Sequence, residues 1–455
     1  MSLVVRQSRR VPGVCSSNTA AVVFLLCLSA GAGDAGAQVS GTLLRCGGPG
    51  PAKEASLGIA DLVGMAVGTH PSILAKRGEV VAAEADKSSA RWQYFPTPSI
   101  SAGRDSHGVD NSTIAVQQPL WAGGRIDAGM EYANAKAVSA DRSVTEAQHT
   151  IAVSVTDSYQ AWLLARGRKE AQQRSVMLHE ERKASMQRRV ASGVSAEVDL
   201  DLVASRLAAA KSDLESSESA VRTAMARLLQ AVGCTVHEAD LRLTEDEVGV
   251  ESLDAVLANA ESSFPLLKRQ EADIDAAKQM VGVKRASLSP TLSLRAESVR
   301  NSPAAYGAPT SSNDNRIMLV LQFTPGAGLS SFSEVEAAAA RVTALRDARE
   351  ASRRDLHDRV VAEYENYRAA SARRTELLYN RKALSQVLDS FSRLFVAGKR
   401  SWLDVLNAVR ELTQSEVSVS DAEATMIASA YKLRLYSGQF EWYGTPNRMG
   451  SRDPG

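Results

Sequence analysis

Apolar and polar positions along this chain follow two periods in turn. Through most of its length apolar residues return every three or four places, the spacing that puts them on one side of a helix. Ile73, Leu74, Val80, Val81 and Ala85 do so after Pro71, Ile151, Val155, Tyr159 and Trp162 further on, and Leu384, Val387, Phe391 and Leu394 near the end. In short stretches the period drops to two. Within 112–120, Ile114 and Val116 alternate with Thr113, Ala115 and Gln117; within 316–323, Ile317, Leu319, Leu321 and Phe323 share a face opposite Met318, Val320 and Gln322. Both read as strands with two unlike faces. Each is preceded by another extended segment, opened by Pro98-Ser99-Ile100-Ser101 and by Pro290-Thr291-Leu292-Ser293.

The pattern predicts helices over 57–68 and from Pro71 to about 91, where proline suits a first helical turn. Two strands follow, then Gly123-Gly124 and a proline-free helix over 126–192. At 1.5 Å per residue that helix is about 100 Å long, far beyond globular norms. After a glycine turn a further helix runs on to Gly233, carrying Val198 and Leu202 on one face. The same order then repeats. Pro265 answers Pro71, two more strands follow, a second long helix covers 331–396, and a last helix covers 402–440. Gly193-Val194-Ser195-Ala196-Glu197-Val198-Asp199-Leu200 returns as Gly398-Lys399-Arg400-Ser401-Trp402-Leu403-Asp404-Val405. A duplicated unit buries its surface against its own copy, and abundant alanine with this periodicity points to coiled-coil-like packing.

The expected organisation is therefore a signal peptide over 1–37, an irregular leader over 38–56, a first repeat over 57–233, a linker over 234–250, a second repeat over 251–442 and a disordered tail over 443–455. Arg6, Arg9 and Arg10 precede an apolar run from 20 to 32 and then Ala35-Gly36-Ala37, the form of a cleavable secretory signal. That run is shorter than the roughly 20 residues a spanning helix needs. Leu26 before Cys27 and Arg45 before Cys46 argue against a lipid anchor at either cysteine. Removing 1–37 takes three arginines and one aspartate from 53 basic and 52 acidic residues, leaving a net charge near −1. So balanced a charge gives no reason to expect a nucleic-acid partner. Of the four cysteines, Cys46 and Cys234 would remain, and an oxidising compartment permits them either to pair or to stay as separate thiols.

An exported chain without spanning helices can still cross a membrane as a closed β-barrel, in which every backbone group is satisfied. The four strands have the length such barrels use, but four cannot close one, and open edges in lipid are not viable. Several chains must share a barrel, and three would supply twelve strands. Trp92, Tyr94, Phe95 and Trp121 gather where helix meets strand, fitting either an interfacial aromatic girdle or ordinary packing. The fold class expected is mainly α with a small β part: a long α-helical barrel continued by a transmembrane β-barrel, closed as a homotrimer.

These features resemble the TolC-type outer-membrane factors. The resemblance covers about 57–440 and is carried by Gln118-Pro119-Leu120-Trp121-Ala122-Gly123-Gly124-Arg125, the Pro98 and Pro290 strand starts and the two Gly-x5-Asp turns. It implies a trimeric channel in the outer membrane with a periplasmic helical tunnel. It also implies a periplasmic adaptor protein and an inner-membrane ABC transporter or proton-driven pump as partners, serving type I secretion or multidrug and metal efflux. The run 398–411 is similar to members that export large adhesins, which favours type I secretion. The resemblance further implies that Gly193 and Gly398 lie at the periplasmic mouth. There Asp404 matches an acid ringing the constriction, and a second ring acid is replaced by Asn407. Arg400 matches a latch whose partner is Asp199, since arginine–carboxylate pairing is geometrically specific. The residues alone allow a plainer role, in which Ser401 and Asp404 form a helix capping box and Ser195 caps the other helix. The glycines suit left-handed backbone.

No enzyme is expected, and no cofactor. The six histidines (70, 107, 149, 179, 237 and 357) lack metal-ligand spacing, and no phosphate loop or nucleophile elbow is present. The remaining alternative is a soluble periplasmic coiled-coil adaptor, in which the four strands would not span a membrane.

Overall fold

The computed structural model describes residues 44–45, 57–104, 110–241, 249–302, 312–324 and 326–439. The expected signal peptide, most of the leader, Cys46 and the tail lie outside these residues.

The first element, β1 (Leu44–Arg45), pairs in parallel with a later short strand. Helices α1 (Ile59–Thr69) and α2 (Pro71–Trp92) lead into β2 (Thr97–Arg104) and β3 (Asp110–Trp121). Then come α3 (Arg125–Ala191), 67 residues long, and α4 (Glu197–Val232). The short strand β4 (Cys234–Thr235) and a 3-10 turn over Glu238–Asp240 lead to the second half. That half consists of α5 (Leu253–Ser263), α6 (Pro265–Ala286), β5 (Thr291–Ser302), β6 (Ser312–Gln322), α7 (Ser331–Val396) and α8 (Trp402–Tyr436).

The duplication holds element by element. Both α1 and α5 have 11 residues, α2 and α6 have 22, α3 and α7 have 67 and 66, and α4 and α8 have 36 and 35. Helix α5 was not anticipated. Ser252 at its N-cap position and the spacing of Leu253, Val256 and Ala260 were its signals. The final helix stops at Tyr436 rather than 440 because Gly438 turns left-handed (φ +78°) against Ser263.

Neither the leader nor the 234–250 linker is wholly irregular. Leu44 lies beside Cys234 and Arg45 beside Thr235 in the parallel pair, and Leu57 bridges Leu241. Cys234 is a half-cystine.

Near the sheet the long helices neighbour one another in the order α2–α3–α6–α7, and toward the glycine turns in the order α4–α3–α8–α7. Where these arrangements meet, α1 packs on α3 and α4, and α5 packs on α7 and α8, forming a collar. Its core joins Leu62, Val63 and Ala66 of α1 to Val155, Tyr159 and Trp162 of α3 and Leu228 and Val232 of α4. Tyr159 and Trp162, both fully buried, stack with centroids 5.5 Å apart. On the other side Val256, Ala260 and Phe264 meet Leu356, Val360, Leu433 and Tyr436. A third cluster lies near the turns, with Met186, Val203 and Leu388 around Trp402, Val405 and Val409.

Candidate functional site

Two regions carry the chemistry: the sheet at one end and the paired turns at the other. The four long strands form one antiparallel sheet in the order β2–β3–β5–β6, so β2 and β6 are its edges. Strand register assigns the faces. Ile100 lies opposite Ile114; Val116, Ala296 and Ile317 align; Leu294 lies opposite Leu319 and Leu292 opposite Leu321. This apolar face is bare: Ile100 is 79% exposed, Ile317 76% and Leu321 69%. The other face carries Ser99, Ser101, Thr113, Gln117, Ser293, Arg295, Glu297 and Arg316. There Gln117 Nε2 donates to Ser293 Oγ at 3.0 Å. Glu297, 8% exposed, is clamped by Arg295 at 2.7 Å and by Arg316. A water-soluble sheet buries its apolar face and wets its polar one. This sheet does the reverse, the arrangement of a strand wall with lipid outside and a polar interior.

Below the sheet the aromatic cluster divides. Tyr94 Oη donates to Asp127 Oδ1 at 2.6 Å, a packing role that ties it to the first turn of α3. Trp92, Phe95 and Trp121 remain exposed at 70%, 47% and 51%, as a girdle requires.

At the opposite end Gly193 and Gly398 adopt φ of +71° and +70°, the left-handed conformation that glycine enters without steric cost. Asp404 is half-buried at the start of α8 in a capping box. Its Oδ2 accepts from Ser401 N at 3.3 Å, and Ser401 Oγ accepts from Asp404 N at 3.2 Å. Arg400 Nη1 lies 3.6 Å from the same Oδ2, and its guanidinium sits 4.5 Å above the Phe391 ring. Among the described residues no ion pair joins Arg400 to Asp199, whose backbone N–H donates to Ala196 O at 3.1 Å. Asn407 is half-buried one turn beyond Asp404. Ser195 is not a helix cap, since Ala196 occupies that position in α4. Its hydroxyl instead accepts from Arg189 Nε at 3.1 Å.

The sequence reading missed Arg189, Phe395 and Trp402. The Arg189 guanidinium lies 4.7 Å over Phe395, whose ring packs at a tilt of 46° with its centroid 4.7 Å from that of Trp402. Phe391 and Phe395, one turn apart at the end of α7, were the available signal. Among the described residues, no group of three or more His, Cys, Asp or Glu is placed to hold a metal, and no helix is long and apolar enough to cross a membrane.

An edge-open sheet with a lipid-suited outer face, standing on two helices each about 100 Å long, defines an outer-membrane channel-tunnel subunit. The chain belongs to the outer membrane efflux protein family, the TolC-type outer-membrane factors, whose family model matches residues 62–234 and 256–439. No curated protein matches it. Among solved structures it is similar to CusC, described in terms of folding and transmembrane channel formation, at 16% identity over 87% of this chain and 98% of that one (TM-score 0.69). VceC, an outer membrane protein of Vibrio cholerae, matches at 15% identity over 84% of this chain and 96% of that one (TM-score 0.70). The open state of the MtrE outer membrane channel of Neisseria gonorrhoeae matches at 16% over 87% and 94% (TM-score 0.65). Identities this low establish a shared fold. Family membership replaces the soluble-adaptor alternative with a membrane channel.

Proposed function

We propose that three copies of this chain close one twelve-stranded barrel in the outer membrane, continued into the periplasm by one helical tunnel. The assembly is a passive duct fed by an inner-membrane transporter through a periplasmic adaptor. The observation that carries this reading is the sheet, with a bare apolar face, a polar opposite face and unpaired edges at β2 and β6. Such edges are tolerable in lipid only when partner strands cover them. Within the duct, Gly193 and Gly398 shape the periplasmic mouth, and the three copies of Asp404 gather negative charge at its narrowest point. Asn407 leaves that ring less charged than a double set of acids would. Arg400 and Asp199 lie beside it.

Protein export by a type I system is the cargo reading favoured by the 398–411 segment. Efflux, of drugs or metals, is the alternative, and the family description supports efflux as such. Deleting the gene and comparing exported proteins with drug and metal susceptibility in the same strain separates them. Loss of one large secreted protein with unchanged susceptibility establishes secretion. Hypersensitivity with an intact set of exported proteins establishes efflux.

A further inference from the structure

The two helical hairpins, α3/α4 and α7/α8, end side by side, and what ties their tips together decides how wide the entrance rests. Within one chain the side chain that reaches across is Arg189. Arg189, in the last turn of α3, places its guanidinium 4.7 Å above the ring of Phe395, in the last turn of α7. The same guanidinium holds its own turn through Nε to Ser195 Oγ at 3.1 Å. Phe395 is backed on its other side by Trp402, the first residue of α8, 4.7 Å away and only 6% exposed. One cation is thus held at once to the first-repeat turn and, through two rings packed at a tilt of 46°, to both helices of the second repeat. Arg400 over Phe391 makes a similar contact, but within the second hairpin alone.

We propose that Arg189, Phe395 and Trp402 form a guanidinium–aromatic clasp that joins the two hairpin tips and sets the resting opening of the duct. Arg189 is a positioning residue here, and the proposal rests on the duct reading above. A guanidinium, more weakly hydrated than an ammonium, suits a position over a ring better than lysine would. A cation held over a ring beside a buried indole is attracted by the ring quadrupole and is screened less than an exposed ion pair.

The test is single-channel conductance of the purified full-length protein in planar lipid bilayers, with hydrogen exchange of the tip amides measured in parallel. Arg189→Gln and Phe395→Leu should each raise the open-to-closed ratio by about tenfold, the size expected for one partly desolvated cation–π contact. Combining them should add little, because both remove one contact. Phe395→Tyr keeps an aromatic face and should preserve wild-type closure, whereas Arg188→Gln, which removes an exposed charge from the same turn of α3, should leave it unchanged. Unaltered conductance in both Arg189→Gln and Phe395→Leu, or an equal opening by Arg188→Gln, overturns the clasp. If the wild-type protein forms no channels, the duct reading fails and exchange decides for the clasp alone. Faster exchange at residues 402–406 in Arg189→Gln sustains the clasp, and unchanged exchange overturns it.

Discussion

His149 shows how much one buried residue contributes in a protein that is mostly surface. It sits in α3, edge-on to Phe264 with centroids 5.0 Å apart and 5.7 Å from Tyr436. Burial, and secondarily the nearby Arg359 charge, lower its pKa to about 4. The folded value lies below the unfolded 6.5, so the neutral ring stabilises fully above about pH 6.5. That contribution drains away as pH falls from 6.5 through 4, to a loss of about 3 kcal/mol at most. Thermal unfolding in detergent at pH 7.5 and 4.5 should show a smaller acid-induced fall in Tm for His149→Gln than for the wild type. Equal falls would remove His149 as a cause. At this scale the sequence was legible where backbone demanded one residue type, as at Gly193 and Gly398. It was opaque where two distant side chains meet, because nothing in the spacing of Arg189 and Phe395 says that their helices end together.

Among elements, the helices were the easiest to read. The long helices were expected over 126–192 and 331–396 and run Arg125–Ala191 and Ser331–Val396. Their interiors hold no proline and glycine turns close them, so local chemistry alone sets their ends. The sheet order was not legible, since β3 pairs with β5 from the other repeat and strand alternation gives faces but not neighbours. Nor was the two-residue pairing of β1 with β4, too short to leave a period. The contact between α3 and α8 is a further tertiary feature. Asp157 meets Lys432 at 2.6 Å, Arg168 meets Asp421 at 3.1 Å and Arg174 meets Glu416 at 2.9 Å, one antiparallel register throughout. Lys432 is largely buried. Burial alone would lower its pKa, but hydrogen bonding and charge from Asp157 and Glu363 outweigh that and raise it. Between these pairs Gly167 lies so close to α8 that a Cβ there would stand 2.4 Å from Ser420 Cβ. Gly167→Ala should therefore cost about 2 kcal/mol despite better helix propensity. Ser420→Gly in the same chain should recover part of that. Equilibrium unfolding of the single and double variants measures both, and a stabilising Gly167→Ala would show that the helices part freely.

For the whole molecule, the two faces of the sheet make a directional claim about assembly. Leu319 is on the bare apolar face and Met318 on the polar one, adjacent in sequence and opposite in environment. Leu319→Arg should cost about 2–4 kcal/mol if it faces the bilayer midplane, whereas Met318→Lys should be tolerated. The readout is the heat-modifiable trimer band of membrane extracts on an SDS gel, lost for the first variant and kept for the second. The reverse outcome would invert the barrel. Fold class and repeat order were visible in the sequence because duplication and periodicity are local. The proposed assembly draws on the sequence only indirectly, through four strands too few to close.

Among the described elements, α3 and α7 alone belong to both helix orders, α2–α3–α6–α7 near the sheet and α4–α3–α8–α7 near the turns. The other long helices stop at the collar or begin there. Helix α3 leaves β3 through Gly123-Gly124, and α7 follows β6 after a 3-10 turn over Ala327–Leu329. Mechanically, the chain offers two continuous rods that run from the sheet through the collar to the turns. A torque applied to the strands therefore reaches the turns as torsion of those two rods, with the collar as the bearing about which they rotate.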